Sequence, residues 1–159
     1  MTAAVTLAAL VAVSSAAPDR APDRDPDVVR KSFVILKATP SYAEARSFAA
    51  AAAEQLAIKL DLRDLAPDAA VGLTFPRESC EDEFGAYPCY VPRGRFDDGV
   101  YISVEHSSSY EGFEEGLYVV MLASGSPRDR TVAAALRRAK SQYPDVVVKT
   151  APVYLGCIH

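Results

Sequence analysis

Residues 122–136, LASGSPRDRTVAAAL, repeat the pattern of an earlier stretch, residues 36–50, LKATPSYAEARSFAA. In both stretches an apolar strand ends, a polar turn with a proline follows, and an alanine-rich helix begins. A strand, a turn and a helix in this order are the first parts of a β-α-β unit. The chain has 159 residues and is half apolar, which is enough for one domain with a real core but not for two. The repeat therefore predicts one domain built from two similar units.

The first unit is predicted from three patterns in residues 32–65. SFVILKAT, residues 32–39, is apolar and rich in β-branched and aromatic side chains, which predicts a buried strand. Ser41 precedes Glu44 by three positions, the capping-box spacing of a helix start. The helix that follows has one apolar stripe at helical spacing, formed by Ala45, Phe48, Ala49, Ala52 and Leu56. IKLDLRDL, residues 58–65, alternates apolar and polar residues and predicts a half-buried strand.

The second unit follows the same order. GLYVVMLAS, residues 116–124, predicts the apolar strand. Ser126 is the predicted cap, Pro127 takes the first helical position, and Asp129 completes a second capping box. The apolar stripe of this helix consists of Val132, Leu136, Ala139 and Tyr143. DVVVKT, residues 145–150, predicts the closing strand.

The two units predict an α+β fold. Interleaved, they form a ferredoxin-like sandwich, in which two helices cover one face of a four-stranded antiparallel sheet. The alternative is two units side by side in an open sheet. Between the units lies an insertion, residues 66–115, where Asp98-Gly99 precedes the alternating residues 100–105. This pattern predicts a β-hairpin that extends the sheet.

The N-terminal residues indicate export. Residues 1–16 carry no charge and run from apolar to small, with Ser14 and Ala16 at the −3 and −1 positions of a signal-peptidase site before Ala17. A membrane anchor is the alternative, but the stretch is short and rich in Ala, Ser and Thr, whereas a spanning helix needs about 20 apolar residues. Residues 17–31, rich in Pro, Asp and Arg, predict a disordered linker. We expect residues 32–159 to form the domain, in the periplasm or outside the cell and without a membrane in the mature form.

Three cysteines, Cys80, Cys89 and Cys157, allow three pairings. Nearness in the chain favours Cys80–Cys89, a bridge worth about 2–3 kcal/mol in the loop-entropy model of an exported protein. Cys157, His159 and His106 are the candidate metal ligands. A single Cys-x-His at a chain end lacks the paired spacing of zinc sites, so we expect no metal and no cofactor.

Charge and motif content bear on two further function classes. The formal net charge is −4 and no basic stripe is present, which argues against nucleic acid as a partner. EHSSSYEG, residues 105–112, contains no G-x-S-x-G elbow, so a hydrolase using His106 with Ser107, Ser108 or Ser109 has no local support. We therefore expect a protein that is not an enzyme.

The segments SFVILKATPSYAEARSFAAAAAEQL and LYVVMLASGSPRDRTVAAALRRA, in an exported chain with a Pro-rich linker, resemble the SPOR domain, a small module of the bacterial cell envelope. Each segment is similar to the family's strand, short polar turn and Ala-rich helix. The resemblance implies a ferredoxin-like fold. It also implies binding of peptidoglycan, especially glycan strands stripped of stem peptides, without catalysis.

A protein that binds glycan strands needs exposed aromatic rings and a set of hydrogen-bond donors. The alternation of the first strand places Lys37 on the face of Phe33 and Ile35, which is an open face if the helices cover the other one. The candidate ligand-binding residues are Lys37, Arg93, Arg95, Tyr101 and Tyr118. For each tyrosine the alternative is partial burial with the hydroxyl at the surface. The alternative function is a secreted protein-interaction or inhibitor-like domain that uses the disulfide loop and the hairpin.

Overall fold

The computed structural model describes residues 27–156, so the predicted signal peptide, residues 17–26 of the predicted linker, Cys157 and His159 lie outside the described residues. No helix within the described range is long and apolar enough to cross a membrane. In chain order the elements are β1 (Val28–Thr39), α1 (Tyr42–Leu56), β2 (Ala66–Asp68), β3 (Gly72–Thr74), α2 (Arg77–Phe84), β4 (Gly99–His106), β5 (Tyr118–Gly125), α3 (Arg130–Lys140) and β6 (Val147–Tyr154).

A four-stranded sheet in the order β4-β5-β1-β6 forms the centre of the fold. Every neighbouring pair in it is antiparallel. β1 and β4 are therefore parallel to each other with β5 between them, and β5 and β6 are parallel with β1 between them. β2 and β3 form a separate two-stranded sheet. The predicted α+β class with an antiparallel sheet is confirmed.

α1 and α3 pack on one face of this sheet. The buried residues of α1 are Ala45, Ala49, Ala52, Ala53 and Leu56, and those of α3 are Val132, Ala135 and Ala139. They form one core cluster with aliphatic residues of the strands, among them Val34, Leu36, Ile102, Val104, Val120 and Leu122. Both predicted apolar stripes thus face the sheet, and the small alanines allow the helices to approach it closely.

The two helix caps differ in how well the sequence predicts them. The Ser41 side chain accepts a hydrogen bond from the Glu44 amide at 3.3 Å, as the capping box predicts. The prediction of Ser126 as the second cap is wrong, because α3 starts later and Asp129 is its cap, accepting from the Thr131 amide at 2.7 Å. The Asp129 amide donates to the Ser126 carbonyl, so residues 126–129 form a turn before the helix.

The predicted strand at residues 58–65 is wrong. These residues form a single parallel bridge, Leu60 to Ile102, at the outer edge of β4. Arg63 and Asp64 then adopt left-handed backbone conformations with φ of 57° and 54°, which end any extended segment. β4, from the insertion, occupies the place in the sheet that the first unit was expected to fill, and its partner is β5. Asp98-Gly99 is therefore not a hairpin turn.

The linker prediction is too long at its C-terminal end. β1 begins at Val28, and residues 28–31 pair with residues 151–154 of β6. They are ordered in the sheet because β6 extends four residues beyond the predicted closing strand and offers them a partner.

The face opposite the helices is closed by the insertion, so the expectation of an open sheet face is wrong. Phe33, Ile35 and Met121 on this face are buried. The Tyr110 ring packs edge-on against Phe33 at 5.0 Å. Gly94 crosses so close that a Cβ there would lie 3.0 Å from the Phe33 ring, and its φ of 90° suits glycine.

Candidate functional site

An open groove lies beside the C-terminal end of β1. β6 begins opposite Ile35, so the last residues of β1 pair with β5 on one side and have no strand on the other. The space left by β6 has a volume of about 510 Å³, within the usual range for ligand sites. Phe48 of α1, Tyr143 before β6, Phe113 from the β4–β5 connection and Lys149 of β6 line it, and we call it the β1 groove.

Lys37 enters the β1 groove from β1, on the side of α1. Its ammonium lies 2.7 Å from the Glu44 carboxylate and 5.3 Å from the centre of the Phe48 ring. The hydrogen bond from Lys37, followed by one from Thr39, lowers the pKa of Glu44. The prediction that Lys37 shares the face of Phe33 and Ile35 is wrong.

A β-bulge is the reason for the position of Lys37. Ile35 pairs with Met121 but Lys37 pairs with Val120, so two residues of β1 oppose one residue of β5. One extra residue reverses the alternation of all side chains that follow it. Lys37 consequently lies on the helix side of the sheet, where Val120 belongs to the core cluster.

Aromatic rings form the walls of the β1 groove. Phe48 and Tyr143 pack edge to face with ring centres 5.5 Å apart, and the Tyr143 hydroxyl donates to Gln55 Oε1 at 2.7 Å. Partial burial raises the pKa of Tyr143, so its hydroxyl remains a donor near neutral pH. Phe113 lies on the other side, with the Lys149 ammonium 4.9 Å from its ring centre.

Polar groups lie at the rim of the β1 groove. Gln142, Glu114 and Asp145 are exposed lining residues. The Lys149 ammonium has no ion-pair partner among residues 27–156. The groove thus combines apolar ring faces with donors and acceptors that remain available to a ligand, an arrangement suited to an amphipathic molecule.

Of the five predicted ligand-binding residues, only Lys37 lines the β1 groove. Arg93 is fully buried, with Nη1 donating to the Tyr101 carbonyl at 2.8 Å and Nη2 to the Gly99 carbonyl at 3.0 Å. Burial lowers the pKa of Arg93. The Tyr101 ring lies 3.5 Å from the Arg93 guanidinium, and its hydroxyl donates to Asp97. Arg93 therefore holds the insertion on the sheet and has no surface to offer a ligand.

Arg95 and Tyr118 lie in two further places. Arg95 donates to the Gly156 carbonyl at 2.9 Å, next to Tyr154. The Tyr118 hydroxyl donates to the Gly72 carbonyl at 3.2 Å, and burial raises its pKa. The five residues are not brought together into one site.

A buried polar network, which sequence reasoning missed, lies between β4 and the residues that cover it, among them Arg63 and Tyr90. Glu105 is fully buried, and its Oε2 accepts from Arg63 Nη1 at 2.8 Å and from the Tyr90 hydroxyl at 2.7 Å. Burial opposes the charge on Arg63, but the carboxylates of Glu105 and Asp97 outweigh this effect and raise its pKa. The alternation of residues 100–105 indicated that Glu105 would be on the polar side of a strand, and gave no sign that this side is covered.

The disulfide prediction is confirmed, since Cys80 and Cys89 are bonded. His106 Nδ1 lies 2.7 Å from Ser108 Oγ, and the His106 ring packs against Tyr118 with ring centres 5.2 Å apart. No carboxylate of the described residues hydrogen-bonds to His106, so a third group that would orient it as a catalytic base is not in place there. Within residues 27–156 no group of three or more His, Cys, Asp or Glu side chains could hold a metal ion.

Comparison with known proteins gives no family for this chain. No protein-family model, curated protein or solved structure matches it.

Proposed function

We propose that this protein is an exported, non-catalytic binding module that holds a peptidoglycan glycan strand in the β1 groove. The observation that carries the proposal is the groove itself, with its volume of about 510 Å³ and the aromatic walls of Phe48, Tyr143 and Phe113. Pyranose rings present flat apolar faces that pack on aromatic rings, while their hydroxyl and acyl groups need donors and acceptors. Lys149 and Gln142 supply donors at the rim, and Glu114 and Asp145 supply acceptors.

The sheet supports a relationship to SPOR domains. β1 comes from the first repeat, β5 and β6 come from the second, and β4 of the insertion stands at the edge beside β5, with α1 and α3 on one face. This arrangement supports a ferredoxin-like sandwich. We place the ligand differently from the expectation of an open sheet, because the insertion covers that face and the groove at the end of β1 is accessible.

Export is supported by the Cys80–Cys89 bond, because disulfides form and persist in oxidising compartments such as the periplasm and the extracellular space. The uncharged leader-like residues 1–16 agree with this placement.

Co-sedimentation of the full chain with purified peptidoglycan tests the proposal. We expect the protein to pellet, and we expect Tyr143→Ala to weaken binding about fivefold or more through the lost ring contact. Tyr154→Ala is the matched control, because Tyr154 is equally aromatic and half exposed but does not line the groove. Lys149→Ala, an exposed substitution that leaves the core untouched, should also weaken binding. Absence of pelleting by a folded chain, or equal loss in the Tyr143 and Tyr154 variants, would overturn the proposal.

A further inference from the structure

A second pocket lies beside the disulfide loop and is partly lined by it. Three phenylalanines line it: Phe75 and Phe84 are half-buried and Phe96 is 58% exposed. Its volume is about 310 Å³. The Cys80–Cys89 bond ties α2 to the segment before Phe96 and so holds the two sides of the pocket together. We call it the phenylalanine pocket.

Two carboxylates, Asp64 and Glu83, also line the phenylalanine pocket. Both residues are exposed, and neither has an ion-pair partner in the described part of the chain. Arg63 and Asp64 are neighbours with left-handed backbone conformations, but the Arg63 side chain is only 13% exposed whereas Asp64 lies at the surface.

The cations near the phenylalanine pocket are already engaged. Arg63 pairs with Glu105 at 2.8 Å, lies 3.6 Å from Asp97, and donates to the Val91 carbonyl at 2.9 Å. Arg77 pairs with Glu81 at 2.9 Å. Glu105 and Asp97 thus satisfy the charge of Arg63, whose guanidinium lies 5.8 Å from the centre of the Phe75 ring. The Arg95 guanidinium lies 5.0 Å from the centre of the Phe96 ring but does not line the pocket. Among the lining residues, Asp64 and Glu83 therefore keep carboxylates that no cation of the described residues pairs with.

Aromatic faces and uncompensated carboxylates together favour one class of occupant. A ring face attracts a cation through its quadrupole, and an ammonium on an apolar stem fills a cage of such rings while its charge meets the carboxylates. An anionic or purely apolar group would leave Asp64 and Glu83 without a partner. We infer that the phenylalanine pocket binds a lysine side chain of a partner polypeptide, with its methylenes against Phe75, Phe84 and Phe96 and its ammonium at Asp64 and Glu83.

This site is independent of glycan binding, since it shares no lining residue with the β1 groove. It gives the alternative of a protein-interaction domain a defined surface, formed by the disulfide loop and Phe96. The two activities could coexist in one molecule because the two sites are separate.

An NMR titration of the full chain with two blocked pentapeptides tests the inference. The probe is acetyl-Gly-Gly-Lys-Gly-Gly-amide, and the same peptide with norleucine in place of lysine matches its shape without the charge. We expect the lysine peptide to shift the amides of Asp64, Ser79 and Phe96 and to bind about tenfold more tightly than the norleucine peptide. Phe96→Ala, at an exposed position, should weaken binding by about threefold to fivefold.

Two double variants that remove the same charge distinguish binding in the pocket from general electrostatic attraction of the lysine peptide to the protein. Asp64→Asn with Glu83→Gln removes both pocket carboxylates and should abolish the preference for lysine over norleucine. Glu78→Gln with Asp82→Asn removes the same charge from the exposed residues of α2 outside the pocket and should leave the preference within about twofold. Equal losses in the two doubles, shifts located elsewhere, or no binding of the lysine peptide would overturn the inference. Peptidoglycan sedimentation of the pocket double should be unchanged, so the two proposals fail separately.

Discussion

On the face that meets α1 and α3, the buried side chains of the core cluster are alanines and branched aliphatic residues, whereas the opposite face buries Arg93 and Glu105 beside Phe33 and Met121. The difference follows from what covers each face. A helix satisfies its own backbone hydrogen bonds, so it can lie on an apolar surface. On the other face the β4–β5 register shifts between Val100 and Ser103, and Arg93 of the covering segment donates to the strand carbonyls of Gly99, Tyr101 and Met121.

A sheet face that is covered by loop segments, as this one is, buries polar side chains that hydrogen-bond to the strands. Within the described residues, Glu105 Oε2 carries the hydrogen bonds of this network and Oε1 has no partner. Removal of one partner from such a network leaves an uncompensated buried charge in a medium of low dielectric constant. The core cluster on the helix face contains no charged side chain, so its members should respond to substitution through packing alone.

The largest effect is expected at Glu105. Glu105→Gln leaves Arg63 without its closest carboxylate and should lower the free energy of unfolding by about 3–5 kcal/mol. Ile102→Val, on the same strand but facing the helices, should cost about 0.5–1.5 kcal/mol. Urea denaturation of both variants measures the contrast. Equal costs for the two would contradict the assigned difference between the faces.

Removal of the disulfide should loosen the insertion selectively. With Cys80→Ala and Cys89→Ala, we expect a loss of about 2–3 kcal/mol from the lost loop constraint. Native-state hydrogen exchange should show faster exchange at Phe75 and Phe84, while the amides of α1 change little. Uniform acceleration across both faces would show that the insertion and the helix face open as one unit.

A smaller change in stability is expected at the N-terminus of α3, and it tests which residue caps this helix. Asp129→Ala removes the acceptor for the Thr131 amide and should cost about 1 kcal/mol. Ser126→Ala should change stability by less than about 0.5 kcal/mol, because the Ser126 side chain does not cap the helix. Thermal melts of the two variants distinguish the observed cap from the one that the sequence indicates.

The smallest expected effect is a pH dependence from His106. Burial lowers the pKa of His106 below 6.5, so the unfolded chain binds this proton more readily than the folded chain does. Its contribution to stability is therefore complete above pH 6.5 and is lost as the pH falls through the folded pKa. NMR titration of the His106 ring should give a pKa below 6.5. In the wild-type chain, part of the fall in unfolding free energy at acidic pH should come from His106, and this part should be absent in His106→Gln. If both chains show the same dependence of unfolding free energy on pH, the assignment to His106 is wrong.

Local patterns in the sequence sufficed for α1, α3, β1, β5 and β6. They indicated a strand at β4 but not its place beside β5, and they gave no sign of α2. The helical spacing of apolar residues from Ala45 to Leu56 and the apolar run around Val120 both predict buried elements directly. Residues 58–65 show the limit of that method, because their alternation is as regular as that of β4. Only one of these two segments can pair with β5, and β4 does so. This choice depends on tertiary packing and not on the local pattern.

The candidate site was less predictable than the fold. Lys37 was identified, but the bulge that moves it to the helix side depends on the pairing between β1 and β5. Phe113 and Lys149 contact each other at one wall of the groove, and the groove exists because β6 starts opposite Ile35. No local sequence pattern predicts where β6 starts, or that the segment around Gly94 covers the opposite face of the sheet.

The position of a bound glycan strand can be mapped directly on the labelled full chain by NMR. We expect the largest amide shifts upon addition of purified glycan strands without stem peptides at Lys37, Phe113, Tyr143 and Lys149, around the β1 groove. Largest shifts at Tyr101 and Arg95 on the covered side, or no shifts at any strand concentration, would contradict it.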